Sequence, residues 1–180
     1  MAEAKTMVVT SITKSNLMSQ AHINIYDTIN NRSNIVDPKN PNNTSRNFVY
    51  KNDPWSKGSD YNSYPYIIAR FPDLELDATS IDGKSKDISW KMKISVRTLI
   101  GGAVNNLNNE SSGITDMYSI IDDLNQTFNS ETVKASLRLN NVYNLNLSVV
   151  DNDEFQDSNK KRILETDMVL EFDTRMDVSS

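Results

Sequence analysis

Three groups of side chains in this chain of 180 residues are of types that do chemistry. The first is His22, the single histidine, which stands between Ala21 and Ile23. The second is a set of carboxylates: Asp122-Asp123, the run Asp151-Asn152-Asp153-Glu154, and Glu165, Asp167, Glu171 and Asp173 near the C-terminus. Clustered carboxylates supply the hard oxygen donors that magnesium and calcium prefer. The third is a set of cations, Lys91, Lys93 and Arg97, at spacings of two and four. A row of this kind can contact phosphate.

None of these groups completes a constellation. There is no cysteine and no second histidine, so a zinc site lacks ligands and His22 reads as a structural or surface residue. The stretch 151–154 has neither the glycine nor the distal glutamate of a calcium loop and reads as a solvated turn between strands. No phosphate-cradling glycine motif and no nucleophile elbow is present, and there are only five glycines to build one from. The expectation is a protein that is not an enzyme, with no catalytic residues, no metal and no cofactor.

The elements that position these groups follow from periodicity. In Ile88–Arg97 every even residue (Ile88, Trp90, Met92, Ile94, Val96) is apolar and every odd one (Ser89, Lys91, Lys93, Ser95, Arg97) is polar or basic. Alternation of this kind predicts a strand with one buried face, since a period of about 3.6 would scatter the apolar residues. The predicted strand runs from Lys86 to Leu99. Others are predicted over Tyr66–Phe71, Leu74–Ala78, Tyr143–Val150 and 163–173, where Leu164, Thr166, Met168, Leu170 and Phe172 alternate with Glu165, Asp167, Val169, Glu171 and Asp173.

Three helices are predicted. One spans Asn16–Asn30, capped by Ser15, with Leu17, Met18, Ala21, Ile25 and Ile29 on one stripe. The second spans Thr115–Phe128, capped by Thr115, with Ile114, Met117, Ile121, Leu124 and Phe128 as its stripe and Tyr118 and Ile120 on the margins. The third runs from Glu131 to Asn140. Asn105–Gly113 reads as a flexible loop. The expected architecture is a single α+β domain over 1–180, an antiparallel β-sheet with helices packed on one face. Residues 1–14 form a flexible N-terminal arm, extended at most around Met7–Val9, and 37–63 form a long loop excursion.

That excursion carries Pro38, Pro41, Pro54 and Gly58 among many Asn, Asp and Ser residues, and a connection of its length is usually functional or partly disordered. Phe48, Tyr50, Trp55 and Tyr61 interrupt it. These aromatics either contact a partner or tuck under the loop to seal a satellite core. Hydrophobic content of 37% is low for a compact globule, so part of the chain is expected to be irregular or to order only against a partner, and the net charge of −5 argues against a dedicated duplex binder. No run approaches the ~20 apolar residues of a membrane helix, so no membrane association is expected. The absence of a signal segment and of cysteine fits a soluble protein made in a reducing compartment.

The two best strands carry complementary charge. Lys91, Lys93 and Arg97 line one face of 88–97, and Glu165, Asp167, Glu171 and Asp173 line one face of 163–173. Opposite charges across neighbouring strands contribute ~0.2–1 kcal/mol per pair. The two strands are therefore expected to be antiparallel neighbours, within a subunit or across a subunit boundary. Trp90 faces away from the lysines, which separates stacking from charge and disfavours a single-strand nucleic-acid surface.

The order of elements resembles that of tail-terminator, or tail-completion, proteins of long-tailed bacteriophages and related archaeal viruses. The features are the N-terminal helix running into Ile25-Tyr26-Asp27-Thr28-Ile29, the Pro/Asn-rich excursion, and Tyr64-Pro65-Tyr66-Ile67-Ile68 leading a strand. The alternating Ile88–Arg97 strand follows, then Ile114–Phe128, the short helix through Leu137, Tyr143-Asn144-Leu145-Asn146-Leu147, and Leu164–Phe172. The resemblance covers residues 15–175 as a pattern of elements. It implies a structural virion protein of the tail or neck, made in the host cytoplasm, whose subunits close into a homo-oligomeric ring, usually a hexamer. Such a ring caps the tail tube protein and joins it to the head–tail connector, with DNA only as passing cargo. The resemblance brings no catalytic residues. The neighbouring expectation is another virion part: a head-completion, tail-tube or baseplate component.

Overall fold

A computed structural model describes residues 14–42, 47–54, 64–77, 85–101, 107–156 and 161–177. Helix α1 (Lys14–Asn30) is followed by the short strands β1 (Val49–Tyr50), β2 (Tyr66–Ala69) and β3 (Asp73–Asp77), then by the long strand β4 (Ser85–Gly101). Helices α2 (Leu107–Asn129) and α3 (Glu131–Leu139) come next, and strands β5 (Tyr143–Gln156) and β6 (Arg162–Asp177) close the chain. The six strands form one sheet in the order β1-β2-β4-β6-β5, with β3 also on β4. All pairs are antiparallel except β1 with β2, which is parallel, so the sheet is mixed at that edge. The architecture is α+β.

β4 is the spine. Its C-terminal half pairs with β2 (Ile67 opposite Val96) and its N-terminal half with β3 (Asp73 opposite Lys91). β2 and β3 thus lie end to end along one side of β4, joined through Arg70, whose amide donates to the Lys93 carbonyl at 3.0 Å. Pro72 can donate no ladder bond, and the strand breaks there. On its other side β4 runs against nearly all of β6.

The even residues of β4, Ile88 to Val96, are all buried, as are Met168, Leu170 and Phe172 of β6 opposite them. Leu17, Ala21, Ile25 and Ile29 of α1 and Met117, Ile120, Leu124 and Phe128 of α2 close over this face. The Trp90 indole N–H, carried into this core, donates to Thr174 Oγ1 at 2.9 Å. Such a bond removes the cost of burying an unpaired donor. Thr98, on the same face, is fully buried, and among the described residues its hydroxyl has no hydrogen-bond partner. Thr98→Val keeps the shape and removes the orphaned group, so urea unfolding is expected to show unchanged stability or a gain of up to about 1 kcal/mol.

Several expectations are corrected here. α2 begins at Leu107, so Asn105–Gly113 is not a loop beyond residue 106, and Thr115 lies inside the helix rather than capping it. Gly113, at the end of that expected loop, is a packing residue inside α2, seated against the Leu99 carbonyl of β4. The buried stripe of α2 is rotated: Ile120 is fully buried while Ile114 is 40% exposed, because the step Met117, Ile120, Leu124, Phe128 tracks the sheet better than one through Ile114 and Ile121. α1 begins at Lys14, one residue before the expected cap Ser15. Asp151–Glu154 is no turn; β5 continues through it to Gln156, with a bulge between Val149 and Asp151 absorbing one residue.

The end of α3 is sharply defined. Asn141 has φ 62°, the left-handed conformation that Asn tolerates better than most residues. Its amide donates to the Arg138 carbonyl and that of Val142 to Leu137, at 3.1 and 3.0 Å, while Val142 and Leu137 are both buried. This is the Schellman arrangement that satisfies terminal carbonyls. The Asn141 side chain also donates to the Arg175 carbonyl and accepts from its amide, which aims the chain into β5.

Candidate functional site

The odd residues of β4 face away from the helices, and β6 supplies their partners. Ser89 stands opposite Asp173, Lys91 opposite Glu171, Ser95 opposite Asp167 and Arg97 opposite Glu165. Lys91 Nζ lies 3.3 Å from Glu171, with both side chains over 40% exposed. Lys93 stands opposite Val169 and reaches diagonally to Asp167. Asp167 also accepts from Ser95 Oγ at 2.6 Å. Asp173 accepts from Ser89 Oγ and from the Asn144 side-chain amide, each at 2.7 Å, and pairs with no lysine among the described residues. The pairing between these strands lies within one chain.

Burial would raise the Asp167 carboxyl, but hydrogen bonds from Lys93 and Ser95, with the charges of Lys93 and Arg70, more than offset it and hold the group below its usual range. The ladder therefore holds Asp167 ionised. Its exposed rungs, such as Lys91 with Glu171, contribute little each and weaken with salt.

Arg97 departs from the expected solvent-facing row. It is 7% exposed, because Tyr64, Tyr66, Ile68 and Ile163 form a second apolar cluster on this face, with Tyr50, Leu99 and Phe155 against it. The Arg97 guanidinium donates to Glu165 at 2.6 Å, to Asp53 at 2.9 Å and to the Tyr66 hydroxyl at 3.4 Å, and lies 5.5 Å from the Phe155 ring centre. Burial opposes its charge, yet the bonds and charges of Glu165 and Tyr66 hold its pKa above the ordinary value. Asp53, Tyr64 and Tyr66 carry no sequence signal of this role. The chain's fold brings Asp53 to Arg97 across 44 residues of sequence.

The aromatics of the excursion divide. Phe48 is fully buried in the main core, under the Arg32 guanidinium at 4.6 Å, so it offers no partner contact. Tyr50 packs edge-on to Tyr66 and donates to the Asn47 carbonyl, sealing the second cluster. Trp55 and Tyr61 lie outside the described residues. The segment after α1 is tied to α2: Asp123 accepts from the Val36 amide at 3.0 Å, Thr127 donates to the Asn34 carbonyl, and Lys39 pairs with Asp116 at 2.8 Å. The chain leaves α1 into the expected long loop, whose first residues are thus held against α2.

His22 is structural. It is 1% exposed, its Nε2 lies 3.2 Å from the Ala69 carbonyl, and its ring packs 4.1 Å from that of Phe71. Burial, assisted by the charge of Lys51, lowers its pKa below 6.5 against the opposing Ala69 bond. The unfolded chain therefore binds the proton more readily than the folded one. Stability is complete above 6.5 and is lost as pH falls through the lowered folded value. His22→Gln is expected to flatten this slope between 6.5 and about pH 5, measured by urea midpoints, before carboxylates titrate.

A groove of about 270 Å³ between α1 and α3 is lined by Asn24, Asp27, Asn31 and Asn140, among others. The amide of Asn140 is engaged by the Ser136 carbonyl, at 2.9 Å. Among the described residues, no group of three or more His, Asp or Glu is placed to hold a metal ion, and no helix is long and apolar enough to cross a membrane. The arrangement of charge on the sheet serves to join strands and to bury one arginine. Comparison with models of known protein families and with curated proteins finds no match.

Proposed function

We propose that this chain is a structural subunit of a tailed virus particle, which assembles as a homo-oligomeric ring at the end of the tail tube and joins it to the head connector. The observation that carries this reading is the edge of the sheet. β5 is 14 residues long, lies at one end of the strand order, and is largely exposed. A long open edge is a liability in a lone monomer and useful material in a subunit whose neighbours cover it. The α+β order of elements is the second support, through its resemblance to tail-terminator proteins. In this reading DNA passes through the ring as cargo, and a lumen that does not grip phosphates suits the net charge of −5.

An open edge also serves a tube that grows without limit, so a tail-tube, head-completion or baseplate role is the second reading. Native mass spectrometry and negative-stain microscopy separate them. Closed rings, hexameric by expectation, support the terminator, and long cylinders favour the tube. Absence of the chain from purified virions would sink both.

A further inference from the structure

The edge of β5 is divided in two. Beyond the bulge, the carboxylates of Asp151 and Asp153 accept from the amides of Asn152 and Glu154, at 2.9 and 2.8 Å. Before it, the Asn144 and Asn146 side chains turn to Asp173 and Glu171 of β6. Val149 and Val150 are 49% and 62% exposed, and among the described residues β5 pairs with β6 alone. The segment 145–150 is thus an uncharged, uncovered edge, a template for one more strand.

The acidic half indicates what kind of strand. Asp151 stands opposite Asp167 and Asp153 opposite Glu165, like charges in register, which is unfavourable. Lys93 and Arg97 compensate the two β6 acids. Asp151 and Asp153 have no ion-pair partner among the described residues. A strand that fits would be uncharged beside 145–150 and cationic beside 151–153. A second β5 would bring only further carboxylates.

Residues 1–13 lie outside the described part, but their sequence has the required pattern. Thr6-Met7-Val8-Val9-Thr10-Ser11-Ile12 is uncharged, with β-branched residues at five of its seven positions, and Lys5 precedes it. Laid antiparallel with Val9 beside Val149, it brings Lys5 beside Asp153 and carries Glu3 past the acidic pair. α1, which follows it, bonds through Tyr26 and His22 to carbonyls of β1 and of Ala69 in β2. In the strand order β1 and β2 lie beyond β4 and β6 from β5, and α1 crosses the helix face of the sheet from them to β6.

We propose that residues 5–12 of one copy add as an antiparallel strand to the β5 edge of the next copy. The contact is head-to-tail, so repeating it closes a ring when the rotation permits; closure rests on the ring-subunit reading, whereas strand donation does not.

The absence of cysteine makes the test clean. Val9→Cys and Val149→Cys chains are made singly and together, oxidised at native concentration, and run on non-reducing gels. Mixing the two single variants is expected to give a heterodimer linked through the two positions, above either homodimer, and the double variant a ladder. Lys5→Glu should lower the mixed yield about 2–5-fold, as one cross-strand charge pair implies. A dominant Val149→Cys homodimer, an internally linked monomer from the double variant, or no linkage would each overturn donation. The ring reading is scored separately. A ladder ending at one closed size supports it and an endless ladder overturns it, while rings by native mass spectrometry without linkage leave the ring and remove the donated strand.

Discussion

Arg97→Met is expected to destabilise the protein by ~3–5 kcal/mol in urea unfolding, more than any exchange among the lysines of the same row. Methionine fills much of the space but leaves Glu165, whose side chain is 12% exposed, and Asp53, at 29%, without the guanidinium that both contact. The cost is that of uncompensated charge in a poorly solvated place, not the net worth of the pair. Two controls isolate the cause. Glu165→Gln in the Met background should recover part of the loss, because it removes the stranded charge. Arg97→Lys should fall between, since one ammonium cannot span Glu165, Asp53 and Tyr66 together. A loss below about 1 kcal/mol, unaffected by Glu165→Gln, would mean that the site behaves as an exposed pair.

Gly113→Ala carries the other large effect. In an exposed helix this change stabilises by about 0.8–1 kcal/mol. Here the new methyl would sit 2.2 Å from the Leu99 oxygen, 2.8 Å from its carbonyl carbon and 2.9 Å from Ile100 Cγ2. Two of these are backbone atoms of β4, which cannot swing aside as a side-chain tip does, so α2 must lift from the sheet. A loss of about 2–3 kcal/mol is expected, the range of overpacked cores. That is about 4–12 °C in midpoint for a domain of this size. Ser119→Ala, at an exposed position on the same helix, is the control and should move stability by no more than ~0.5 kcal/mol. Wild-type stability in Gly113→Ala would show that α2 does not approach β4 as closely as described.

Burial on the helix side of β4 was legible because a strand has a strict period of two: once one face is apolar, every side chain's direction follows. That the basic row of β4 meets the acidic row of β6 follows from the charge pattern by the same logic, whereas which lysine meets which carboxylate is set by the register. The helix limits were less legible. Polar residues at 108–112 say little about whether a helix continues, and a glycine reads alike as a breaker and as a close-packing site. The continuation of β5 through Asp151–Glu154 was hidden for a related reason. Four polar residues suggest a turn unless the carboxylates are known to bond to the adjacent amides.

By itself, then, the sequence determined the α+β class, the buried face of the spine strand, the stripe of α1, and the acidic and basic rows that meet on the far face. These are local properties, set by periods of two and 3.6 along a continuous stretch. The tertiary structure alone decided that Arg97 is buried, that Asp53 and Tyr66 hold it, that Phe48 belongs to the core, and that β5 is left at the sheet's edge. Each depends on which distant segment comes to lie over a given face, and residue spacing along one strand contains no information about what covers it.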